Sequence, residues 1–300
     1  MGMPKQVIKL LKQENGYNKI SGDALFCGRQ SVLADRNAMS EIYSDTPSIL
    51  DSLLDKWLDP RNQDASTRHG NGLIRDNIFL QTAFDLTYNC IDKSDYEGAN
   101  IICDLNYPIS SEMHSKFDLV FTGGCLDNVF NPVSLLMNST NLLKAGGRVV
   151  HYETFSGVMG SYLGFSPEWF YSYYAINNFA DCKVYVCHQT ESGISRFNYD
   201  TNLFSYHPSF TRNPNPDYFK SAMASAGIMY VMVIAEKAKD STSDLMPSQI
   251  QYLDAKVIDW REAATKFDSS SRPHLHVDSR IADYKLPFMS DHYSYLGSEF

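Results

Sequence analysis

An α/β fold is predicted for this chain, built as a mostly parallel seven-stranded sheet with helices on both faces, a helical insertion and a C-terminal extension. Three observations predict it. Short β-branched or apolar runs ending in glycine or polar clusters recur along the chain, and helix-length stretches separate most of them. Runs such as FDLVF and MYVMVIA are apolar without alternation, as strands buried on both faces are.

The elements follow in order. Residues 1–20, beginning MGMPKQVIKLLKQENG, read as an N-terminal amphipathic helix; they lack the apolar centre and small-residue cleavage site of a signal peptide, so export is not expected. A core over 21–238 holds strands at Asp23–Cys27, Thr87–Ile91, Asn100–Cys103, Phe117–Thr122, Arg148–Tyr152, Lys183–Cys187 and Met229–Ala235. Helices are expected over Asn131–Leu143, Ser166–Asn177 and Asp217–Ser225. The first two strands are separated by far more than a usual crossover, and this insertion, at about 31–84, carries a helix over Ser48–Leu58 and the polar loop DPRNQDASTRHGNG. Insertions of that length in one crossover often cover a site. The extension over 239–300 has a helix at Ser248–Phe267 and a polar stretch ending in Tyr293, Tyr295 and Phe300. Two readings stay open for it, folding back on the core or forming a homodimer.

Composition narrows the function classes. The 300 residues are 43% hydrophobic, with no apolar run near the roughly 18 residues that suggest a membrane span. A net charge of −9 argues against a phosphate-tracking surface and so against nucleic acid as partner. Six cysteines stand mostly singly in apolar runs, without a CxxC pair, and read as buried free thiols in a reducing cytoplasm.

The most informative stretch is KFDLVFTGGCLDNVFNPVSLLMNSTNLLKAGGRVVHYETF, Lys116 to Phe155. A buried strand ends in Gly123–Gly124, a helix follows, Gly146–Gly147 make a turn, and a second apolar strand begins. In this order and spacing the sequence resembles the class I S-adenosylmethionine-dependent methyltransferases. The resemblance implies a Rossmann-like fold, S-adenosylmethionine as cofactor and S-adenosylhomocysteine as product.

It also implies positions for the cofactor. An acidic residue ending the second strand, here Asp92, would hold the ribose hydroxyls, since a carboxylate accepts from both. Asp104 falls where the family contacts the adenine amino group, with Leu105 against the ring. After the first strand the family has GxGxG; this chain has LFCGRQSV, a degenerate loop with Gly28 alone in place. Cys27, Gly28, Arg29 and Gln30 would line it. Arg29 is read either as a partner of the methionyl carboxylate or as a salt bridge, and Gln30 as a hydrogen-bonding side chain. Thr122 and Gly123 end the fourth strand beside the cofactor.

Direct methyl displacement needs alignment of the acceptor and removal of its proton. Asp127, His151 and Glu153 are the catalytic candidates. Alternation puts His151 and Glu153 on one side of the fifth strand, and imidazole titrates near neutral pH; His151 reads either as a general base or as a hydrogen-bonded core histidine. The aromatic stripes of SPEWFYSYYAINNF read either as core or as the wall of an acceptor pocket. No metal is indicated: His274, His276 and Asp278 alternate without a partner motif, and nothing in the spacing of Asp127 and Glu153 demands the divalent ion that some of these methyltransferases use.

The absence of a (D/N)PPY tetrapeptide after the fourth strand, where TGGC stands, points to oxygen rather than amide or nucleobase nitrogen. A sugar or other small molecule is the expected acceptor. The sugar reading comes from a resemblance of the DLNYP and FSPEWF regions to methyltransferase-like proteins of polysaccharide gene neighbourhoods. Two further classes stay open: a methyltransferase-like binding protein without turnover, and methyl transfer to nitrogen or carbon.

Overall fold

A computed structural model describes residues 2–64, 72–156, 160–190, 200–208, 228–248, 258–275 and 293–299. The backbone packs as two compact units, Met1–Tyr152 and Glu153–Phe300.

In the first unit a short strand, β1 (Gly2–Pro4), precedes the expected helix α1 (Lys5–Tyr17), which buries Val7, Ile8, Leu10 and Leu11. The centre of the unit is β2 (Ser21–Cys27). It pairs in parallel with β4 (Asp85–Asp92) on one side and β6 (Phe117–Phe121) on the other. Beyond β4 lies the two-residue β5 (Ile101–Ile102), and beyond β6 lies β7 (Leu143–Ser156), which runs on past Tyr152. The order β5-β4-β2-β6-β7 is all parallel. Ala24, Leu25, Phe26, Leu119, Val120, Phe121, Val149 and Val150 are buried, which is why these runs show no polar alternation.

The insertion between β2 and β4 folds as β3 (Ser31–Leu33), α2 (Arg36–Ile42), α3 (Pro47–Leu58) and α4 (Asp76–Ala83). Strand β3 pairs in parallel with β1. Asp35 caps α2 by accepting from Ala38 N at 2.9 Å. Helix α5 (Pro132–Leu142) has Pro132 in its first turn, and Asn131 caps it through Ser134 N.

In the second unit β8 (Asp181–Thr190), β9 (Asp200–Tyr206), β10 (Ile228–Glu236) and β11 (Tyr293–Glu299) are antiparallel in the order β11-β9-β8-β10. The expected seven strands are thus nine among the described residues, leaving aside the β1-β3 pair. Strands β9 and β11 account for the difference. Helix α6 (Pro167–Ile176) buries Phe170, Tyr171, Tyr173 and Tyr174, while Trp169 and Ile176 are half-buried, so the stripe of Phe170 and Tyr174 is core and the stripe of Trp169, Tyr173 and Ile176 is core only in part. Tyr171 packs edge-on against Tyr206 and against Phe267 of α7 (Ile258–Asp268). The expected helix at Asp217–Ser225 and residues 249–257 of the one at Ser248–Phe267 fall outside the described residues, as do His276, Asp278 and Phe300.

Candidate functional site

The site candidates of the first unit gather because β2, β4, β5, β6 and β7 end at the same edge. Strand order reverses at the β2–β6 pair, so the carboxyl ends of these two strands form the crevice where open α/β sheets take ligands. The fold is Rossmann-like.

Gly28 follows β2 with φ +76°, a left-handed conformation that favours glycine, and its N–H donates to Ile91 O at 2.8 Å. A Cβ there would lie 3.5 Å from Asp92 Oδ2, so the single glycine of the loop faces the carboxylate ending β4. Asp92 Oδ1 accepts from Lys93 N at 2.6 Å, and Asp92 O accepts from Cys103 N, which joins the ends of β4 and β5.

Asp104 is held by its neighbours. Its Oδ1 accepts from Asn106 N (3.1 Å) and Nδ2 (2.8 Å), and Lys93 Nζ is 3.1 Å from Oδ2. The Asn106 hydrogen bonds and then Lys93 push its carboxyl down to about 2. Leu105 is buried. Asn138 of α5 clamps the loop, with Oδ1 accepting from Ile109 N (3.1 Å) and Nδ2 donating to Tyr107 O (2.9 Å). The sequence reading missed Asn138; an asparagine in a helix interior, where it competes with the backbone, is the signal that marks it.

At the end of β6, Thr122 Oγ1 is 2.6 Å from His151 Nδ1 on β7, and both are fully buried. Burial pulls His151 down to about 3, so its imidazole is neutral at ordinary pH. This is the environment of the core histidine, and it disfavours the general-base reading. Gly123 is required for space: a Cβ would lie 2.3 Å from Phe121 Cε1 and 3.0 Å from Gln30 Oε1. Asp127 is buried in a 3-10 turn, Leu126–Asn128, and Oδ1 accepts from Asn128 Nδ2 at 2.8 Å. The thiol of Cys125 is pushed well up, first by a hydrogen bond with Cys27 and then by burial. Cys27, Cys90, Cys182 and Cys187 are buried as expected, and Cys103 and Cys125 are half-buried. Glu153 opens the second unit on β7 and is fully buried.

Arg29 is a salt bridge, and its partner was not foreseen. Asp76, fully buried at the start of α4, takes both Nε (3.0 Å) and Nη2 of Arg29. The same carboxylate accepts from Gln30 N (2.8 Å), Tyr88 Oη (2.7 Å) and Asn77 N (2.8 Å). The methionyl-carboxylate role for Arg29 is disfavoured, because its fork is already matched to a carboxylate. Gln30 Nε2 donates weakly to Cys27 O (3.3 Å) and Gly28 O (3.4 Å). Its Oε1 is buried and has no hydrogen-bond partner among the described residues. No group of three or more His, Cys, Asp or Glu is placed to hold a metal ion among the described residues, and no helix among them is long and apolar enough to cross a membrane.

No family model and no curated protein matches the chain. Solved structures do resemble it. An S-adenosylmethionine-dependent methyltransferase from Archaeoglobus fulgidus is 12% identical, over 78% of this chain and 94% of that one, with a TM-score of 0.39. Phosphoethanolamine N-methyltransferase 2 from Haemonchus contortus, in complex with S-adenosyl-L-methionine, is 13% identical over 77% of this chain, with a TM-score of 0.35. This chain spans about half the length of that protein, 52%. A putative zinc-dependent alcohol dehydrogenase from Rhodobacter sphaeroides is 10% identical over 50% of this chain and 48% of that one, with a TM-score of 0.27. These are loose likenesses of backbone course, and no residue role passes from those proteins to this chain.

Proposed function

We propose that this chain is a class I S-adenosylmethionine-dependent methyltransferase that methylates a hydroxyl of a sugar or other small molecule by direct displacement. The observation that carries the proposal is the meeting of Gly28 and Asp92 across β2 and β4, beside the β2–β6 switch point of a parallel sheet in which Asp104–Leu105 follow β5 and Thr122–Gly123 follow β6.

The residues present fit the cofactor. Asp92 offers two acceptor oxygens to the ribose hydroxyls, and Leu105 and Asp104 suit an adenine face and its amino group. Gly28 leaves the loop backbone open to close approach beside Asp92, with Cys27 ending β2 before it and Thr122 and Gly123 following the neighbouring β6. The buried Gln30 Oε1 lacks a donor within the described chain, and an ammonium would supply one. When bound, the cofactor supplies an electrophilic methyl group on a sulfonium.

What remains for the chain is alignment and proton removal. Asp127, buried in the turn that follows β6, is the carboxylate best suited to hold the acceptor proton. Neutral His151 orients Thr122 rather than taking that proton. Glu153, the remaining catalytic candidate, is a second buried carboxylate. The preference for oxygen rests on TGGC at the position of the nitrogen-specific tetrapeptide. A second reading, cofactor binding without turnover, is favoured by the enclosure of His151.

Calorimetry of the purified chain with S-adenosylmethionine, S-adenosylhomocysteine and NAD tests the first step. Binding of the sulfur nucleotides and not of NAD is expected, and no binding of either at millimolar concentration would sink the proposal. Labelled cofactor offered with a metabolite extract then identifies the acceptor, and turnover on no acceptor favours the second reading.

A further inference from the structure

We propose that Asp76 is the positioning residue that replaces the missing glycines of the first loop, by neutralising Arg29 and fixing Gln30 so that the loop receives a cationic ligand. The proposal rests on the cofactor reading above and names a determinant lying outside the loop, in the insertion between β2 and β4.

A glycine-rich loop keeps its shape because its backbone can adopt conformations that side chains forbid. Here only Gly28 has that freedom, and the residues after it carry long side chains. Asp76 supplies the missing constraint from 46 residues away, the separation of the Gln30 N contact. Its carboxylate accepts from Arg29, Gln30 N, Tyr88 Oη and Asn77 N, so its acceptor sites are filled within the chain. The Arg29 side chain also lies over the Tyr88 ring, 5.8 Å from its centroid, and Tyr88 stacks on Phe26 of β2. The loop is thereby fastened to β2, β4 and α4 at once.

Two consequences concern a ligand. With Gln30 N bound to Asp76 and Nε2 turned to Cys27 O and Gly28 O, the carboxamide oxygen is the atom left to accept. Gln30 is only 4% exposed, so that acceptor sits in a position where an unmet hydrogen bond is costly. The charge of Arg29 is cancelled where it stands, while the Asp92 carboxylate faces Gly28. With Arg29 and Lys93 both paired, an acceptor and an anion beside the loop suit a ligand carrying ammonium and sulfonium charge. A freed Arg29 would oppose the sulfonium and not the neutral thioether of the product.

The test compares the affinities of the full chain for S-adenosylmethionine and S-adenosylhomocysteine. Asp76→Asn is expected to lower the affinity for the sulfonium form about threefold relative to the thioether, as an unpaired charge at partly screened range would; the attraction of a freed guanidinium for the carboxylate that both ligands carry cancels in this ratio. Adding Arg29→Gln to Asp76→Asn should bring the ratio of affinities back within about twofold of the parent, since the repelling charge is gone. Arg29→Gln alone leaves the carboxylate unpaired and should shift the ratio the other way, towards the sulfonium; it serves also if Asp76→Asn does not fold. Hydrogen exchange at the Gln30 amide, measured without ligand, should quicken in Asp76→Asn. A residue that merely supports the fold would weaken both ligands alike and leave the ratio unmoved, and that result would overturn the proposal. So would unchanged exchange at Gln30. If the parent chain binds neither nucleotide, the cofactor reading fails separately, and the ligand half of this proposal fails with it.

Discussion

Thr122 Oγ1 and His151 Nδ1 lie 2.6 Å apart across β6 and β7, and this contact decides what the histidine is able to do. In the parallel register Phe121 stands opposite Val150, so Thr122 and His151 are the next pair along and meet inside the sheet. Complete burial penalises the imidazolium and so favours the neutral ring.

The first prediction follows from that shift. The folded value of His151, about 3, lies below the 6.5 of an exposed imidazole, so between these values the unfolded chain takes up a proton that the folded chain refuses. The stabilising contribution is complete above pH 6.5 and is lost as pH falls towards 3, at about 1.4 kcal/mol per pH unit. Urea unfolding between pH 4 and 7 should show this slope in the parent chain and a shallower one in His151→Gln. An unchanged slope would mean that the ring is not enclosed. The pH profile of turnover between 5 and 8 should keep its shape in the same variant.

The second prediction concerns Asp92. Hydrogen bonds to a charged group are worth about 1.5–3 kcal/mol, so Asp92→Asn should weaken S-adenosylmethionine binding by roughly 10- to 100-fold. The melting temperature should move little, because an asparagine oxygen can still accept from Lys93 N. Calorimetry and a thermal melt on one preparation separate the two effects, and undiminished affinity would remove Asp92 from the ribose role.

Part of the candidate site was legible in the sequence, and the reason is physical. Strands β2 and β6 carry buried apolar runs, ALFC and LVF, so their ends were visible, and with them Gly28, Thr122 and Gly123; in β4 only Cys90 and Ile91 are buried, and they mark the place of Asp92, whereas β7 runs four residues past its expected end at Tyr152. Asp76 was not legible: an aspartate opening a helix reads as a favourable charge at the helix N-terminus, and its partners Arg29 and Gln30 belong to a distant loop. Asn138 was hidden for the same reason, since it meets a loop about 30 residues earlier in the chain. Strands β9 and β11 escaped because DTNLFSY and YSYLGSE mix polar and apolar residues without a clear period. The stripes of α6 were ambiguous because a helix buried on most sides carries no polar face to orient it.

The third prediction tests the close approach at Gly123. Alanine there would bring a methyl group against the Phe121 ring, and overpacking of this kind costs about 1–3 kcal/mol. Gly123→Ala should lower the urea midpoint accordingly, and adding Phe121→Leu should recover part of the loss by removing the ring edge. Failure of the second change to help would mean that the backbone, not the ring, is what Gly123 accommodates.

A fourth prediction concerns the second unit, where Arg272 joins two carboxylates in the interior. Its Nε donates to Asp181 Oδ2 at 2.7 Å and its Nη2 pairs with Glu236, while Lys183 Nζ is 3.2 Å from Asp181 Oδ1. Arg272, Asp181 and Lys183 are all buried, so this network sits where desolvation is expensive and an unpaired charge more so. Arg272→Met should therefore destabilise by about 3 kcal/mol or more, the range for breaking a buried pair. Lys183 still faces Asp181, so the greater part of the uncompensated charge falls on Glu236, and Arg272→Met with Glu236→Gln should be milder than Arg272→Met alone. Urea unfolding of the two variants settles it: equal losses would show that Arg272 acts through its packing and not through its charge.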